Sequence, residues 1–466
     1  MTVSNPSQSR TFEVISPASG EVVARVPDQT AQDAQHALER SVAAFSTWHK
    51  TTAYERAALL QQFNTLILRD EPEIARLIAS EMGKPVTEAA GEVRYAASFI
   101  AWYAEEAKRI DGQMLPSQFA DKRLLITHEP VGPVYAITPW NFPAAMATRK
   151  IGPALAAGCT IILKAAEQSP LTALKLAELW TEAGGPADTF TVLTTSDPVP
   201  VTKVMMDDPR LRKITFTGST EVGRLLAAQA APTLKRVSLE LGGHAPYLIF
   251  DDADIDQAVA DVVACKFRNA GQTCVCVNRV YVQRGIADEF TRKLAEAVSK
   301  LKVGDPLNAE TQVGPLVDEA GLAKVVRHVQ DAVNKGAAVT TGGQASGGLY
   351  FSPTVLSHVT PDMLIMREET FGPVAPVAVF DTEEEAVQAA NATEFGLAAY
   401  LWTNDLSRAF RVAGALEYGI IGLNDPLPST AQAPFGGVKQ SGYGREGGHW
   451  GIQEYLTTKY VSLKLG

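Results

Sequence analysis

The chain has 466 residues, of which 46% are hydrophobic and 20% are charged. This is an ordinary globular composition, and the length predicts two or three domains, each able to bury its own core. A formal net charge of −10 leaves no basic stripe for a phosphate backbone, which argues against nucleic-acid binding as the main task.

Targeting and redox signals are few. Residues 1–10 are polar and lack the apolar core of a secretory signal. The longest apolar stretch, residues 154–163, is too short to span a bilayer, so we predict no membrane partner. The 4 cysteines of so long a chain do not form a disulfide framework. We therefore predict a cytoplasmic protein.

After the polar start, helical periodicity fills the first part of the chain. Apolar residues recur at helical spacing over 31–45, 54–82 and 89–107. From residue 131, short β-rich runs alternate with amphipathic stretches. Strands are predicted at 134–137, 160–163, 190–193, 213–216 and 236–239, and helices at 144–157, 172–183, 199–206 and 221–231. This alternation predicts βαβ units and a parallel sheet with helices on both faces.

A second alternating series follows residue 240. Its predicted strands are 247–250, 280–282, 374–380 and 419–423, and its predicted helices are 255–268, 287–301 and 383–390. Two α/β domains that meet near residues 240–243 are therefore expected. Because ligands of open α/β sheets bind beyond the carboxyl ends of the strands, functional residues should lie there.

One glycine motif matches a cofactor fingerprint but lacks its context. Gly442, Gly444 and Gly447 satisfy G-x-G-x-x-G. That fingerprint must follow a strand, open a helix and precede an acidic residue by roughly 20 positions. The chain ends too soon after Gly447 to build such a unit. We interpret the motif as a glycine-rich turn near an interface.

Cys274 ends the run Asn-Ala-Gly-Gln-Thr-Cys, residues 269–274. A glycine in the approach lets the backbone pass close to a ligand without a side-chain clash. A cysteine in this position is either a small buried hydrophobic residue or a nucleophile whose thiolate faces substrate. The residue by itself does not decide between the two.

Two further residues have the chemistry that a cysteine nucleophile needs. Glu240 follows the predicted strand 236–239 and precedes two glycines, and its apolar neighbours would raise its pKa and suit it to act as a general base. Asn141 lies between two prolines that fix the backbone, so its amide could donate to an oxyanion. Taken singly, either residue could equally be structural.

Six motifs, taken together, identify a family. They are Pro-Trp-Asn-Phe-Pro (139–143), Phe-Thr-Gly-Ser (216–219), Glu-Leu-Gly-Gly (240–243), Gly-Gln-Thr-Cys (271–274), Glu-Glu-Thr-Phe-Gly-Pro (368–373) and Pro-Phe-Gly-Gly (434–437). In their order and spacing the chain resembles the aldehyde dehydrogenase superfamily, and the motifs span about two thirds of the sequence.

The resemblance implies an α/β fold with three parts. Residues 1–110 and 131–242 would form a Rossmann-type NAD(P)-binding domain, and residues 243–446 an α/β catalytic domain. Residues 111–130 and 447–466 would form a small β element for oligomerisation, with its interface around 123–129 and 459–465. Relatives of this kind assemble as homodimers or homotetramers, which is the state expected here.

The same resemblance implies a covalent mechanism. Cys274 would attack the aldehyde carbon, and the resulting oxyanion would be held by the Asn141 amide and the backbone N–H of Cys274. After hydride leaves, Glu240 would deprotonate the water that hydrolyses the thioester to the acid. Lys150 and Glu446 would serve as proton-relay partners.

The cofactor residues rest mainly on the resemblance. Phe-Thr-Gly-Ser lies between a strand and a helix whose free N–H groups could meet a pyrophosphate, but it holds one glycine only. The residues implied are Trp140, Lys164, Glu167, Gly218, Ser219, Val222, Gly242, Glu369 and Phe371. Glu167 would accept from ribose hydroxyls and repel a 2′-phosphate, so we predict NAD, with NADP as the alternative. No metal site is predicted.

Residues 267–276 and 148–150 look most like the succinate-semialdehyde group of that family. In that group, positions matching Arg149, Arg268 and Ser429 hold the far carboxylate of the substrate, and guanidinium groups suit this task because they bind carboxylates bidentately. Either arginine could instead be a structural ion-pair partner. The loop 423–432 departs from the group's pattern, which leaves glutarate semialdehyde or another small aldehyde open.

The same fold also admits an acylating reductase or a protein without catalytic activity. An acylating reductase would pass the thioester to another acceptor, but it has no need of a water-activating base such as Glu240. A non-catalytic protein is disfavoured by the joint presence of nucleophile, base and oxyanion donor.

Cys276, two residues beyond Cys274, is either a packing residue or the partner in a strained disulfide that blocks the nucleophile.

Overall fold

The computed structural model describes residues 10–466. Apart from Arg10, the polar start considered above lies outside the described residues. Within residues 10–466, no helix combines the length and the apolar character needed to cross a membrane.

The predicted helices are present, with one difference. The helices are α1 (Ala31–Trp48), α2 (Ala53–Arg69), α3 (Glu71–Met82), α4 (Val86–Glu106), α5 (Pro143–Ala157), α6 (Leu171–Glu182), α7 (Pro198–Asp207), α8 (Thr220–Ala230), α9 (Ile255–Lys266), α10 (Ala287–Ser299), α11 (Glu319–Asn334), α12 (Glu383–Asn391), α13 (Leu406–Ala415) and α14 (Gly448–Gln453). The single helix predicted over 54–82 is two, broken at Asp70. Pro72 explains the break, because proline fits the first turn of a new helix but not a helix interior.

The strands extend the predicted pattern. They are β1 (Thr11–Ile15), β2 (Val22–Pro27), β3 (Gln113–Leu115), β4 (Lys122–Pro130), β5 (Val134–Ile137), β6 (Ile161–Lys164), β7 (Phe190–Leu193), β8 (Lys213–Thr217), β9 (Arg236–Glu240), β10 (Ala245–Ile249), β11 (Val277–Gln283), β12 (Ala338–Thr341), β13 (Ala345–Gly347), β14 (Tyr350–Phe351), β15 (Thr354–Ser357), β16 (Val374–Phe380), β17 (Phe395–Gly396), β18 (Ala398–Trp402), β19 (Ile420–Leu423), β20 (Val438–Lys439), β21 (Gly442–Tyr443) and β22 (Leu456–Lys464). The β1–β2 hairpin was not predicted.

The first predicted parallel sheet is confirmed. Its order is β21-β9-β8-β5-β6-β7, and the five longer strands run parallel. Helix α5 is buried along its whole length between this sheet and the helical layer of α2 and α4. The apolar faces of these elements form one of the described cores. The fold therefore encloses α5, which carries Arg149 and Lys150, on all sides.

The second predicted series of strands and helices forms a larger sheet. Its seven strands lie in the order β12-β15-β16-β11-β10-β18-β19, and all pairs are parallel except β12 with β15. Its core is a separate hydrophobic cluster. A short link of four residues joins β9 of the first sheet to β10 of the second. The two sheets thus meet directly after Glu240, where the sequence predicted the junction.

A third, small sheet stands apart from these two. Strand β22 pairs antiparallel with β4 along nine residues, and β3 flanks β4. Large apolar side chains remain exposed on it, including Met114 (69%), Tyr460 (56%) and Leu463 (47%). An apolar surface of this kind on a sheet edge is typical of an interaction site.

Candidate active site

The loop that carries Cys274 has a strained backbone. Asn269, Ala270 and Gly271 follow one another with φ of 51°, 54° and 74°. Non-glycine residues rarely adopt this left-handed region, and such strain is concentrated at functional sites. Glycine is required at 271, since an added Cβ would lie 2.1 Å from the carbonyl oxygen of Gly372. The loop is therefore held in one conformation by its surroundings.

Gln272 ties this loop to its neighbours. Its side-chain Nε2 donates to the carbonyl of Asn269 at 3.0 Å, and its Oε1 accepts from the backbone N–H of Val317 at 3.0 Å. The residue is buried. The sequence motif contained Gln272, but only the structure gives it this bracing role.

Cys274 lies where two cavities meet. The first cavity has a volume of about 340 Å³ and the second about 560 Å³, and Cys274 lines both. Burial raises the pKa of the Cys274 thiol to about 12, although Arg149 opposes the shift. At neutral pH the sulfur therefore carries its proton, and a base must remove it before the sulfur can attack.

Cys276 has different surroundings. It is buried, and its sulfur lies 3.4 Å from the Lys266 ammonium. Both Cys274 and Cys276 are free thiols, as are Cys159 and Cys265. Cys276 thus packs in the core in this structure.

Asn141 reaches the nucleophile loop from the other side. It follows β5, and its Nδ2 donates to the carbonyl of Gln272 at 3.1 Å. That bond uses one of the two amide hydrogens and leaves the second for another acceptor. Asn141 and Cys274 both line the second cavity. The arrangement is suited to holding an oxyanion on a carbon bound to the sulfur.

Glu240 ends β9 and is almost fully buried. Among the described residues, neither of its carboxylate oxygens has a hydrogen-bond partner. Burial and the charge of Glu446 raise the pKa of its carboxyl well above the ordinary value. Gly436 approaches it so closely that an added Cβ would lie 2.8 Å from Oε1. A buried carboxyl with unused oxygens is a suitable general base.

The charges behind Glu240 form a network. Glu446 forms an ion pair with Lys150 and lies 3.1 Å from Nε of Arg149. Lys150 also donates to the hydroxyl of Thr217 at 2.8 Å. Burial opposes the ionisation of Glu446, but Lys150 and Arg149 outweigh it and hold the pKa of its carboxyl below the ordinary value. Of the two carboxyls, Glu446 is thus the one that ionises more readily, and Glu240 is the one that binds a proton more readily.

The glycine-rich turn has a clear place in this network. Gly442 pairs with Glu240 across β21 and β9, and the isolated bridge from Glu446 to Phe435 follows. The turn therefore packs on the strand that carries the base and brings Glu446 into the site. Its context is not that of a dinucleotide fingerprint, in agreement with the sequence.

The first cavity contains several unused donors. Arg149, Arg268 and Ser429 all line it. Within the part of the chain that the structure describes, Arg149 Nη2, Arg268 Nε and Ser429 Oγ are buried without a hydrogen-bond partner. Arg149 also stacks 3.7 Å above the centre of the Phe435 ring. Because buried donors are normally paired, unused donors around one cavity indicate a ligand that accepts hydrogen bonds.

A groove continues from the second cavity into a third of about 460 Å³. Trp140, Gly218 and Ser219 line both. Gly242, Glu369 and Phe371 line the second, while Lys164, Glu167 and Val222 line the third. All nine predicted cofactor residues therefore lie along one groove.

The groove has features that fit a dinucleotide. Ser219 lines it and caps the N-terminus of α8, and a helix N-terminus favours a phosphate. An added Cβ at Gly218 would lie 2.4 Å from the Phe216 ring, so only glycine fits at this position. Exposed Val199 and Leu225 offer apolar surface to an aromatic ring.

The inner end of the groove is shaped by two aromatic residues. Trp140 and Phe371 meet edge to face with centroids 5.6 Å apart, and Phe371 has a φ of 55°. Glu369 accepts from the backbone N–H of Gly243 at 3.3 Å, and burial raises the pKa of its carboxyl to about 7. A strained phenylalanine beside a carboxyl indicates a surface shaped for a ligand.

Several lining residues were missed by the sequence reasoning. Lys324 of α11 lines the second cavity, and Lys84, Glu88, Glu92 and Tyr95 line the first. The four-residue spacing of Glu88 and Glu92 was the available signal, since it places two carboxylates on one face of a largely apolar helix, and Lys84 lies just before that helix.

The comparisons with known proteins agree with this fold. A model of the aldehyde dehydrogenase family matches residues 4–461. A crystal structure of succinate-semialdehyde dehydrogenase from Burkholderia pseudomallei superposes with a TM-score of 0.97 at 51% identity, covering 98% of this chain and 95% of that one. The chain belongs to the aldehyde dehydrogenase family, which confirms the resemblance, the fold class and the enzyme class read from the sequence.

Among curated relatives, the NADP(+)-dependent succinate-semialdehyde dehydrogenase of Escherichia coli is 52% identical, covering 97% of this chain and 94% of that one. A 3-sulfolactaldehyde dehydrogenase of Pseudomonas putida is 51% identical, with coverages of 97% and 93%. A glutarate-semialdehyde dehydrogenase of the same species is 50% identical, with coverages of 98% and 95%. All three names describe aldehydes with an anionic group.

Proposed function

We propose that this enzyme oxidises an aldehyde with a far anionic group, succinate semialdehyde first, to the acid through a thioester on Cys274. The observation that carries the proposal is the set of unused donors from Arg149, Arg268 and Ser429 around the cavity that Cys274 also lines. A carboxylate at the far end of the substrate would accept from these donors while its aldehyde carbon lies at the sulfur.

The first half of the proposed mechanism forms the thioester. The Cys274 thiol gives up its proton to solvent, and the sulfur attacks the aldehyde carbon. The Asn141 amide and the backbone N–H of Cys274 hold the oxyanion. A bound nicotinamide supplies the hydride acceptor. The residues that would hold that cofactor are those along the groove described above, and Trp140, Phe371 and Glu369 are among those that share the second cavity with Cys274.

The second half releases the acid. Glu240 removes a proton from water, the hydroxide attacks the thioester carbon, and the C–S bond breaks to release the acid and the Cys274 sulfur, which takes up a proton from solvent. Glu446 and Lys150 lie behind Glu240 and would pass the proton on toward solvent. An acylating reductase would not use this base. The separating test is the formation of NADH from succinate semialdehyde in buffer without phosphate and without coenzyme A.

The candidate substrates differ in chain length and in the anionic group. Pro426, Leu427 and Pro428, from the loop that departs from the group's pattern, line the first cavity. They would set the distance between the anion donors and Cys274. A panel of succinate semialdehyde, glutarate semialdehyde, 3-sulfolactaldehyde and butanal, assayed by kcat/KM, ranks these candidates. A preference for butanal would contradict the proposal.

Arg268→Ala tests the anion site directly. We expect KM for succinate semialdehyde to rise by about 10- to 100-fold, because one charge-assisted pair of about 1.5–3 kcal/mol is lost. The KM for propanal, which has no carboxylate, should change less than about threefold on the same basis. Steady-state kinetics on both substrates provides the measurement, and propanal is the internal control. An equal rise in KM for the two substrates would contradict the proposed anion site.

For the cofactor we propose NAD. Lys164 and Glu167 form an ion pair at the outer end of the groove, which leaves a carboxylate where a 2′-phosphate would lie. We expect kcat/KM to be higher with NAD than with NADP. Glu167→Gln should raise kcat/KM for NADP on the order of tenfold, since repulsion at this range is worth about 1–4 kcal/mol.

Glu178→Gln, on the exposed face of the following helix α6, is the matched control for that variant. It removes a charge outside the groove and should leave the cofactor ratio unchanged. A wild-type preference for NADP would show that charge repulsion at Glu167 does not govern the choice.

The domain division and assembly are also proposed. The two large sheets support a cofactor domain of 1–110 and 131–242 and a catalytic domain of 243–446. The exposed apolar residues of the β3-β4-β22 sheet support a homodimer or homotetramer formed through 111–130 and 447–466. Light scattering gives the oligomeric state. The free thiols support the proposed cytoplasmic setting.

A further inference from the structure

Lys84 is a buried cation outside the mechanism described above. It precedes α4, is 1% exposed, and forms an ion pair with the equally buried Glu92. Its Nζ also donates to the backbone carbonyl of Asn141 at 2.8 Å and lies 3.5 Å from the centre of the Phe142 ring. The charge of Lys84 is therefore directed at the segment that carries the oxyanion donor.

Glu92 holds the residues that follow Asn141. Its Oε1 accepts from the backbone N–H groups of Ala144 at 2.9 Å and Ala145 at 3.2 Å. These belong to the first turn of α5, which has no side-chain cap of its own. A carboxylate at a helix N-terminus is favoured both by these bonds and by the helix dipole. Lys84 and Glu92 thus hold the segment from both ends.

Glu88 extends the same contacts to the nucleophile loop. Its Oε2 accepts from the backbone N–H of Asn269 at 2.8 Å. The Asn269 side chain in turn donates to the carbonyl of Asn141 at 3.0 Å. Asn269 is the first of the three left-handed residues before Cys274. One face of α4 therefore fastens both the Asn141 segment and the strained loop of Cys274.

We infer that Lys84, Glu88 and Glu92, here named the α4 clamp, are positioning residues that hold the Asn141 amide in register with Cys274. The inference rests on the proposed function, because it takes Asn141 as the oxyanion donor. Stability alone is a poor reason for the clamp, since a buried ion pair is often no more stable than apolar residues of the same size. Accurate placement of the Asn141 amide is a better reason for the clamp, because an error of about 1 Å in the position of a catalytic group can lower the rate 100-fold.

A double-mutant cycle tests the clamp. Lys84→Met keeps the length of the side chain but removes its donor. We expect it to lower the single-turnover rate of NADH formation by about tenfold, with little change in KM. Asn141→Ala should lower that rate by roughly 100-fold or more. In the Asn141→Ala background, Lys84→Met should cost less than about twofold, because the amide it positions is gone.

Additive losses in the two backgrounds would overturn the clamp. Lys213→Met is the matched control: Lys213 is also fully buried, but it donates to the hydroxyl of Ser238 instead. Lys213→Met should lower the single-turnover rate by the same factor in the wild-type and in the Asn141→Ala background. If Lys84→Met does not fold, the Lys84→Met/Glu92→Leu variant removes both buried charges and gives the same test.

Amide hydrogen exchange supplies a second reading that needs no turnover. Lys84→Met should speed exchange in peptides that cover 141–146 and 268–274, whereas Lys213→Met should not. Unchanged exchange in both peptides would contradict the clamp.

If wild-type enzyme fails to oxidise succinate semialdehyde, the proposed function is wrong, but the clamp is not yet tested by that result. The cycle is then run with propanal, and the exchange experiment still decides on the clamp.

Discussion

Replacing Cys274 with alanine is expected to abolish aldehyde oxidation. No other thiol of the described residues lines the first two cavities, and the proposed reaction cannot form its thioester without a sulfur. Loss of the nucleophile should lower kcat by at least about 10⁴-fold, as in other enzymes that use covalent catalysis. NADH formation from succinate semialdehyde at saturating substrate is the measurement.

Cys276→Ala is the control, since it removes a thiol two residues away. Cys276 is buried beside Lys266 in this structure, so its variant should keep kcat within about fivefold, the loss expected for a small core substitution away from the chemistry. Iodoacetamide should alkylate Cys274 in wild-type enzyme and leave the other three cysteines unmodified, because only Cys274 is partly exposed. Turnover that persists in Cys274→Ala would contradict the covalent mechanism.

Glu240→Gln is expected to separate the two halves of the reaction. The amide cannot activate water, so hydrolysis of the thioester should slow by about 10²–10⁴-fold, the usual contribution of a general base. Because thioester formation does not use Glu240 in this scheme, the variant should form one NADH per site in a rapid burst and then turn over only at the slowed rate of hydrolysis. Rapid mixing of enzyme, NAD and succinate semialdehyde records both phases.

The pH dependence gives the same residue a second test. Burial and Glu446 raise the pKa of the Glu240 carboxyl, so it is protonated at acid pH and cannot accept a proton there. The rate of thioester hydrolysis should therefore rise with pH as this carboxyl ionises. The rise should be absent in Glu240→Gln. If the rate of hydrolysis rises with pH by the same factor in wild type and in Glu240→Gln, the general base is another group.

Glu81→Gln is a suitable control for that comparison. Glu81 is also buried, and burial raises the pKa of its carboxyl to about 8, but its oxygens accept from the first N–H groups of α6. Its variant should change the stability of the protein and leave the ratio of burst to steady-state rate as in wild type.

Much of the fold could be read from the sequence because its patterns are local. Strand periodicity located β5, β7 and β16 at their observed bounds, and the switch from helical to alternating patterns marked where the first sheet begins. Helix breaks were harder to read. The predicted helix over 54–82 is interrupted at Asp70, where only Pro72 gave a local sign.

The candidate site was predicted less evenly. Motif order and spacing sufficed to select Cys274, Glu240 and Asn141, since each stands beside a strand end or a glycine in a run typical of the family. Of the two contacts proposed or observed for Arg149, the sequence predicted the one with substrate but not the one with Glu446. The sequence named it for substrate, and the structure also places it 3.1 Å from Glu446, a residue almost 300 positions away.

What the sequence by itself determined is the family and the alternation of strands and helices in the two large sheets, and it named candidate residues for the chemistry. These depend on neighbours along the chain and on motifs a few residues long. Only the tertiary structure decided which buried charges meet. Lys84 and Glu92 bind the Asn141 segment, and Glu88 binds the Cys274 loop, because α4 packs against α5 and buried polar groups must find partners within the protein. Burial and pairing at long range have no local signature.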